Sequence, residues 1–402
     1  MTTTSSTPRN GRVATGRTAG RALAATGLLL AAINLRPAVT SLGPVLEEVR
    51  ASLGMNATVA GLLTSVPSVC FALIGSSAPL VARRWGTSGA VAIGVGALTL
   101  GLAVRPFASG TPLFLALTAL ALAGIALANV LLPVVVKQRF PDKVGFMTGL
   151  YSVALNLGAS AAAAVTVPLT SAFGDDWRLG LGVWAVIAAL ALPSWIMLAR
   201  ERSAAPPPAG EVPVQLRRSP LAWALAVFFG LQSTAAYVIM GWLPQVFRDA
   251  GLSAETAGLL FALTSVLGVP LSFALSAVAG RMPRQSEIVV GIGLFGLAGY
   301  IGLAVSPAGA PLLWALCLGV ANCAFPVALT MIAMRGRTPA VVVRLSAFAQ
   351  STGYLLSIPG PVVVGALYEH NGTWGIPMTL MAVLTVPQMV AGWIAGRDRR
   401  IG

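Results

Sequence analysis

Charge is what this sequence has least of. Only 9% of its 402 residues are Asp, Glu, Lys or Arg, while 56% are hydrophobic and the mean hydropathy is +0.83. So little charge cannot cover a water-facing surface, which excludes a soluble globular domain and leaves a polytopic membrane protein. Acids are the scarcer sign, 12 against 26 basic residues. All of them (Glu47, Glu48, Asp142, Asp175, Asp176, Glu201, Glu211, Asp249, Glu255, Glu287, Glu369 and Asp398) fall at the ends of apolar runs or between them. The lone histidine, His370, also lies near the end of a run. The buried acid or imidazole that a proton relay uses is therefore missing, which argues against a carboxylate-driven proton antiporter. Cys70, Cys317 and Cys323 sit inside apolar runs without Cys-x-x-Cys spacing, so neither a disulfide framework nor a metal site is expected. The 44 glycines contain no Gly-x-x-x-x-Gly-Lys-Ser/Thr, and no paired nucleophile and base appears within the runs. Neither an enzyme nor a cofactor is indicated. A net charge of +14 and a pI near 11.2 come from short basic clusters between runs and not from one stripe, which excludes a nucleic-acid partner.

What is present is a series of apolar stretches of about 18 to 27 residues, each able to cross a bilayer core of roughly 30 Å. They cover 21–46, 59–81, 88–107, 112–136, 144–170, 179–199, 220–246, 257–279, 288–305, 312–334, 341–367 and 375–395. The predicted fold is an all-α membrane protein of twelve transmembrane helices in two pseudo-symmetric six-helix bundles. A cytoplasmic tail rich in Ser, Thr, Gly and Arg (1–20) leads into the first bundle (21–199). A Pro-rich cytoplasmic linker (200–219) joins it to the second (220–396), and 397–402 form a short tail. With the N-terminus inside, twenty of the 26 basic residues fall on the cytoplasmic side, and Arg50, Arg105, Arg178 and Arg248 fall outside. Both termini are expected in the cytoplasm of a bacterial inner membrane. A faint internal repeat supports the division: Pro44-Val-Leu-Glu47 before Thr58-Val-Ala-Gly-Leu-Leu63 resembles Pro244-Gln-Val-Phe247 before Thr256-Ala-Gly-Leu-Leu260. Two parallel halves are what alternating access needs, with a site between them near the midplane.

One cation breaks the pattern. Arg36 lies in the middle of the first apolar run, where a charge costs roughly 2.5 to 3.5 kcal/mol on insertion scales. Pro37 follows it and cannot donate to the Ile33 carbonyl, so the helix bends or breaks there. A cation at a helix break is a candidate anion site, and the competing reading is a packing cation held by neighbouring carbonyls. Neutral polar residues recur at depth. Ser152 and Asn156, Gln350 and Tyr354, and Ser233 and Tyr237 are four apart and so share helical faces. Asn34, Tyr151, Gln232 and Asn322 join them, although amides and hydroxyls also simply hold membrane helices together. Asn129 and Arg344 read as gate or surface residues.

Ala78-Pro-Leu-Val-Ala-Arg-Arg-Trp-Gly86, between the second and third spans, is similar to the Gly-x-Leu-Ala-Asp-Arg-x-Gly loop of the major facilitator superfamily. Arg83, Arg84 and Gly86 are its gate or loop candidates. Pro79 stands at the glycine position and Arg83 at the aspartate position, so the inner-gate contact of that aspartate has no counterpart here. Ile33-Asn-Leu-Arg-Pro37, Leu127-Ala-Asn-Val-Leu-Leu-Pro133, Met147-Thr-Gly-Leu-Tyr-Ser152, Gly230-Leu-Gln-Ser233, Trp242-Leu-Pro244 and Ala349-Gln-Ser-Thr-Gly-Tyr354 resemble the cyanate permease and nitroimidazole transporter family. That resemblance implies an inner-membrane permease for a small anion or a small heterocycle.

The expected function is a monomeric secondary or facilitative transporter of a small anion, cyanate-like or a small carboxylate, in the lipid bilayer. Arg36 would be the counter-charge, with Asn34, Tyr151, Asn156, Gln232, Tyr237, Gln350 and Tyr354 as hydrogen-bonding candidates and no metal. The alternatives are an exporter of small neutral drugs such as nitroimidazoles, which makes Arg36 structural, and a non-transporting membrane sensor.

Overall fold

The computed structural model describes residues 10–200 and 215–401, and every named element among them is helical. The tail read over 1–20 lies outside the described residues as far as residue 9, and so does the linker from 201 to 214. The first half holds α1 (Asn10–Asn34), α2 (Pro37–Thr40), α3 (Leu46–Leu53), α4 (Ala57–Trp85), α5 (Thr87–Val104), α6 (Thr111–Arg139), α7 (Val144–Ala172) and α8 (Trp177–Arg200). The second holds α9 (Pro220–Asp249), α10 (Ala254–Arg281), α11 (Ser286–Val305), α12 (Pro311–Ala321), α13 (Ala324–Arg335), α14 (Pro339–Ser357), α15 (Pro359–Asn371) and α16 (Gly375–Ala395). α1 begins at Asn10, ten residues into the stretch read as a tail.

Among the described residues sixteen helices make twelve crossings because three crossings are broken. The first is cut at Arg36–Pro37 and again near Gly43–Pro44, the tenth at Asn322–Cys323 and the eleventh at Ile358–Pro359. Prolines account for the first and eleventh breaks, since each removes a donor from the helical ladder. Eleven described segments are long and apolar enough to span a membrane. The eleventh crossing falls short of that measure because its break shortens the helices and Arg344, Ser346 and Gln350 dilute their apolar content. It is carried by α14 and the part of α15 up to residue 367, laid between α9 and α4.

Each half has its own core. Leu28, Leu98, Leu132 and Trp195 pack within the first, and Leu225, Phe228, Val327 and Met331 within the second. A third cluster, with Leu46, Leu63, Trp242 and Phe247, straddles both. The halves meet where α4 packs on α14 and α15 and where α7 packs on α10. These seams explain the internal repeat. Gly61 lies against the Pro361 carbonyl of α15, and a Cβ at its counterpart Gly258 would stand 2.8 Å from the Ala163 carbonyl oxygen of α7. The shared Ala-Gly-Leu-Leu thus marks two close crossings between lobes.

Of the stretch 397–402, read as a tail, the described part, 397–401, is fastened down. The Ile401 N–H donates to the Arg335 carbonyl at 2.7 Å, and the Arg337 N–H donates to the Ile401 carbonyl at 3.1 Å.

Candidate substrate site between the two lobes

Arg36 emerges at the first break. Its carbonyl accepts the N–H groups of Val39 and Thr40, both at 3.0 Å, and the Thr40 hydroxyl at 3.1 Å, so the main chain of the turn is satisfied. Gly158 of α7 lets that helix approach the Ile33 carbonyl that Pro37 leaves without a partner. The guanidinium is different. It is half-buried and forms no ion pair or hydrogen bond among the described residues. Its field acts on three phenols: Tyr151 from α7, Tyr237 from α9 and Tyr354 from α14. One cation from the first lobe therefore lies within electrostatic range of phenols from both.

Aromatic packing holds Tyr354, and a hydrogen bond holds Tyr151. Tyr354 stacks on Phe71 of α4 across the lobe boundary, with centroids 5.1 Å apart and planes at 20°, and stands edge-on to Phe229 at 5.0 Å. Tyr151 donates to Asn129 Oδ1 at 2.8 Å. Asn129 is thereby brought to the site as the orienter of Tyr151. A signal for it is in the sequence: Ala128-Asn129-x-x-x-Pro133 recurs as Ala321-Asn322-x-x-x-Pro326 in the tenth crossing.

The remaining candidates divide. Gln350 lies on the same face of α14 as Tyr354 and donates to Ser346 Oγ at 2.6 Å. Asn156 is half-buried and donates to the Ser152 carbonyl of its own helix at 2.9 Å. Asn34 is turned away from Arg36: its amide nitrogen reaches the Leu30 carbonyl at 2.7 Å and the Ile187 carbonyl of α8 at 3.2 Å, which ties α1 into the first lobe. Gln232 is buried and faces a cavity inside the second lobe. Arg83 and Arg84 are exposed at the end of α4 that lies near the chain termini, with Arg84 5.7 Å from the Trp85 ring. Gly86 joins α4 to α5 at φ 74°, a conformation that favours glycine, which is why the loop motif ends on one.

At the end far from the termini the lobes are bound together. Arg248 grips Glu48 with two hydrogen bonds of 3.0 and 2.8 Å and also donates to the Pro44 carbonyl at 3.2 Å. The partners occupy matching places, each four residues beyond the repeated Pro44 and Pro244. Thr58 donates to Glu369 from its N–H at 2.9 Å and from its hydroxyl at 2.6 Å. Those two bonds hold the Glu369 carboxyl below its ordinary range. Towards mid-depth, Ser65 donates to the Ile358 carbonyl at the α14–α15 break (2.7 Å) and Ser357 donates to Ser68 (2.7 Å).

A model of the major facilitator superfamily matches residues 28–361. The chain belongs to that superfamily. Three relatives match it nearly end to end. The transporter YycB of Bacillus subtilis is 34% identical over 94% of each chain. The 2-nitroimidazole transporter of Escherichia coli is 34% identical, covering 93% of this chain and 95% of its own, and the cyanate transport protein CynX of Escherichia coli is 29% identical, covering 90% and 94%. In fold the chain is similar to the nucleoside transporter NupG, with a TM-score of 0.75 at 14% identity over 92% of this chain and 99% of that one. This is a multi-pass membrane transporter and not an enzyme.

Proposed function

We propose that this transporter carries a small anion by alternating access, with Arg36 as its counter-charge. The observation that supports it is a guanidinium whose field reaches three phenols and which pairs with no carboxylate among the described residues. A cation at this depth is costly unless something neutralises it, and a bound anion does so. Arginine suits the task because it stays charged and offers a planar fork to a carboxylate or a similar anion. Arg36 and the ring of Tyr151, whose hydroxyl is bonded to Asn129, come from the first lobe, and Tyr237 and Tyr354 offer hydroxyl hydrogens from the second, so the anion draws the lobes together, and Gln350 extends the polar face. The protein works as a monomer with both termini in the cytoplasm, so the end closed by Glu48 and Arg248 is the outer one.

A second reading has an observation of its own, the relative that carries 2-nitroimidazole. In it a neutral ring lies against the Phe71 and Tyr354 rings and Arg36 is structural. Thermal unfolding of the purified wild type and Arg36→Gln, with cyanate, benzoate and 2-nitroimidazole, separates the two, because a ligand of the native state raises the melting temperature. Stabilisation of the wild type alone by an anion supports the first reading. Equal stabilisation of both proteins, by 2-nitroimidazole only, overturns it.

A further inference from the structure

One face of α4 follows the broken eleventh crossing from the end held by Glu48 and Arg248 to mid-depth. At that end Thr58 bonds Glu369, Gly365 lies against the Ala57 carbonyl, and Gly61 lies against the Pro361 carbonyl. Further in, the Ser65 hydroxyl donates to the Ile358 carbonyl at 2.7 Å, and Ser68 Oγ meets Ser357 Oγ at 2.7 Å. The seam ends at the Phe71 ring, stacked on Tyr354 at 5.1 Å. Gly61, Ser65, Ser68 and Phe71 fall within about 120° of the circumference of α4, and α15 and α14 run past them in the opposite direction. Ser65, Ser68 and Ser357 are all 0% exposed. A seam that never opened would lose nothing by being apolar there. Hydroxyls suit one that opens, since they bond protein when it is shut and water when it is not.

We propose that Phe71 and Ser68 are positioning residues for Tyr354, so that the anion site is complete only while the end held by Glu48 and Arg248 is closed. Two rings from different lobes hold the Tyr354 phenol. Phe229 meets its edge at 5.0 Å from within the second lobe and stays with it when the lobes part, whereas Phe71 belongs to the first lobe and leaves with α4. Ser68 acts on the main chain. Ser357, which it meets, donates to the Tyr354 carbonyl at 2.9 Å. Once the seam opens, the phenol loses its stack and the tie at its backbone, and it is free to change rotamer. Closing the seam orders the hydroxyl that Tyr354 offers to the anion. The link is reciprocal: closure tightens the anion, and the anion favours closure. The use made of Tyr354 rests on the anion reading above, whereas the hold of the seam on the closed end does not.

The test uses the full chain carrying Phe71→Leu, Phe71→Tyr or Ser68→Ala, each alone and combined with Tyr354→Phe. Benzoate and cyanate affinities are read from the concentration dependence of the melting temperature, and closure from the distance between spin labels at Ala51 and Thr373. Phe71→Leu and Ser68→Ala are expected to weaken anion binding about fivefold, as loss of one hydrogen bond does, and to lengthen the label distance. Phe71→Tyr keeps the stack and should bind as the wild type does. Tyr354→Phe keeps the ring without its hydroxyl, so in that background Phe71→Leu and Ser68→Ala should weaken binding by less than about twofold further. A fivefold loss that adds in full to that of Tyr354→Phe overturns the proposal, because the seam then acts elsewhere than through the phenol. Wild-type affinity in both Phe71→Leu and Ser68→Ala overturns it too, as do unchanged label distances in both. If Phe71→Leu does not fold, Ser68→Ala carries the same cycle. If neither anion stabilises the wild type, the anion reading fails alone and the labels decide: a longer distance in Phe71→Leu and Ser68→Ala keeps the seam, and an unchanged one rejects it.

Discussion

Arg36 and Arg335 are both arginines taken into the protein interior, and their surroundings are opposite. Arg335, 1% exposed, is satisfied by the chain itself: its guanidinium donates to the Ala395 and Gly396 carbonyls at the end of α16, each at 3.0 Å, and to Gln285 Oε1. Gln285 in turn donates to the Ala279 and Met282 carbonyls at 2.9 and 2.6 Å. The ends of α10, α13 and α16 are joined through one cation placed where helix C-termini favour it. Arg36 has no such shell. Arg105 lies between the two: it is fully buried, bonded to the Ala38 carbonyl at 3.1 Å and set 5.6 Å from the Phe114 ring, with Nε and Nη2 unpartnered. A guanidinium that the fold satisfies reads as structure, and one left open between two lobes reads as a place for a ligand.

The comparison breaks or holds on paired substitutions. Arg36→Gln should lower anion uptake by at least about 100-fold, because two charge-assisted hydrogen bonds of about 1.5 to 3 kcal/mol each are lost, and it should leave the melting temperature of the ligand-free protein close to wild type. Arg36→Lys keeps the charge without the fork and should retain only weak uptake. Arg335→Gln should do the reverse, lowering stability by about 3 kcal/mol through stranded carbonyls while the surviving folded fraction still binds anion. Uptake in proteoliposomes and melting curves read both effects. If Arg36→Gln melts as early as Arg335→Gln, the two arginines do the same work and the contrast is lost.

The closure between Glu48 and Arg248 sharpens the picture with smaller effects. The Glu48 and Arg248 side chains are 34% and 21% exposed, so the pair is worth only about 0.2 to 1 kcal/mol after solvent screening. Glu48→Gln should therefore shift the lobes toward opening at that end by up to about fivefold, read as a longer distance between spin labels at Ala51 and Thr373. An unchanged distance distribution would show that the glycine crossings, and not the ion pair, hold the closure.

Glu369 adds a dependence on pH. The bonds from Thr58 depress its pKa, so the closed state gains from them fully above the ordinary carboxylate value of 4.5 and loses them as pH falls through the lowered value. Opening measured with the same labels should rise only below about pH 4.5, and Glu369→Gln should abolish that rise. A transition between pH 6 and 8 would point to another group.

Hydropathy and the six-plus-six division were legible in the sequence because long apolar runs have few alternative uses in a membrane protein. Arg36 was legible for the same reason, since a charge in such a run stands out. Sequence periodicity could place Asn34 and Gln232 at the right depth but not on the right side. Asn34 is two residues from Arg36, yet the break at Pro37 lies between them and Asn34 belongs to the α1–α8 contact. Gln232 adjoins Ser233, and a helix sends neighbours about 100° apart, so depth alone left its side open, and it lines the cavity beside Tyr300. The part played by Asn129 was hidden because its bond to Tyr151 joins separate helices, and only the repeated Ala-Asn-x-x-x-Pro hinted at it. Arg105 was read as an outer-loop residue. Its burial against Ala38 and Phe114 depends on how the first break packs, which no local pattern records.

The smallest expected effect concerns the acids that the sequence keeps out of the membrane interior. Glu287 lies exposed in the first turn of α11, where a carboxylate favours the helix N-terminus by a few tenths of a kcal/mol. It faces neither Arg36 nor the lobe seam. If coupling needs no carboxylate, Glu287→Gln should leave uptake nearly unchanged at every pH and should slightly lower the melting temperature. A large loss of uptake with a shifted pH profile would make Glu287 a proton carrier, and the contrast between a central cation and peripheral acids would then no longer describe how this transporter is driven.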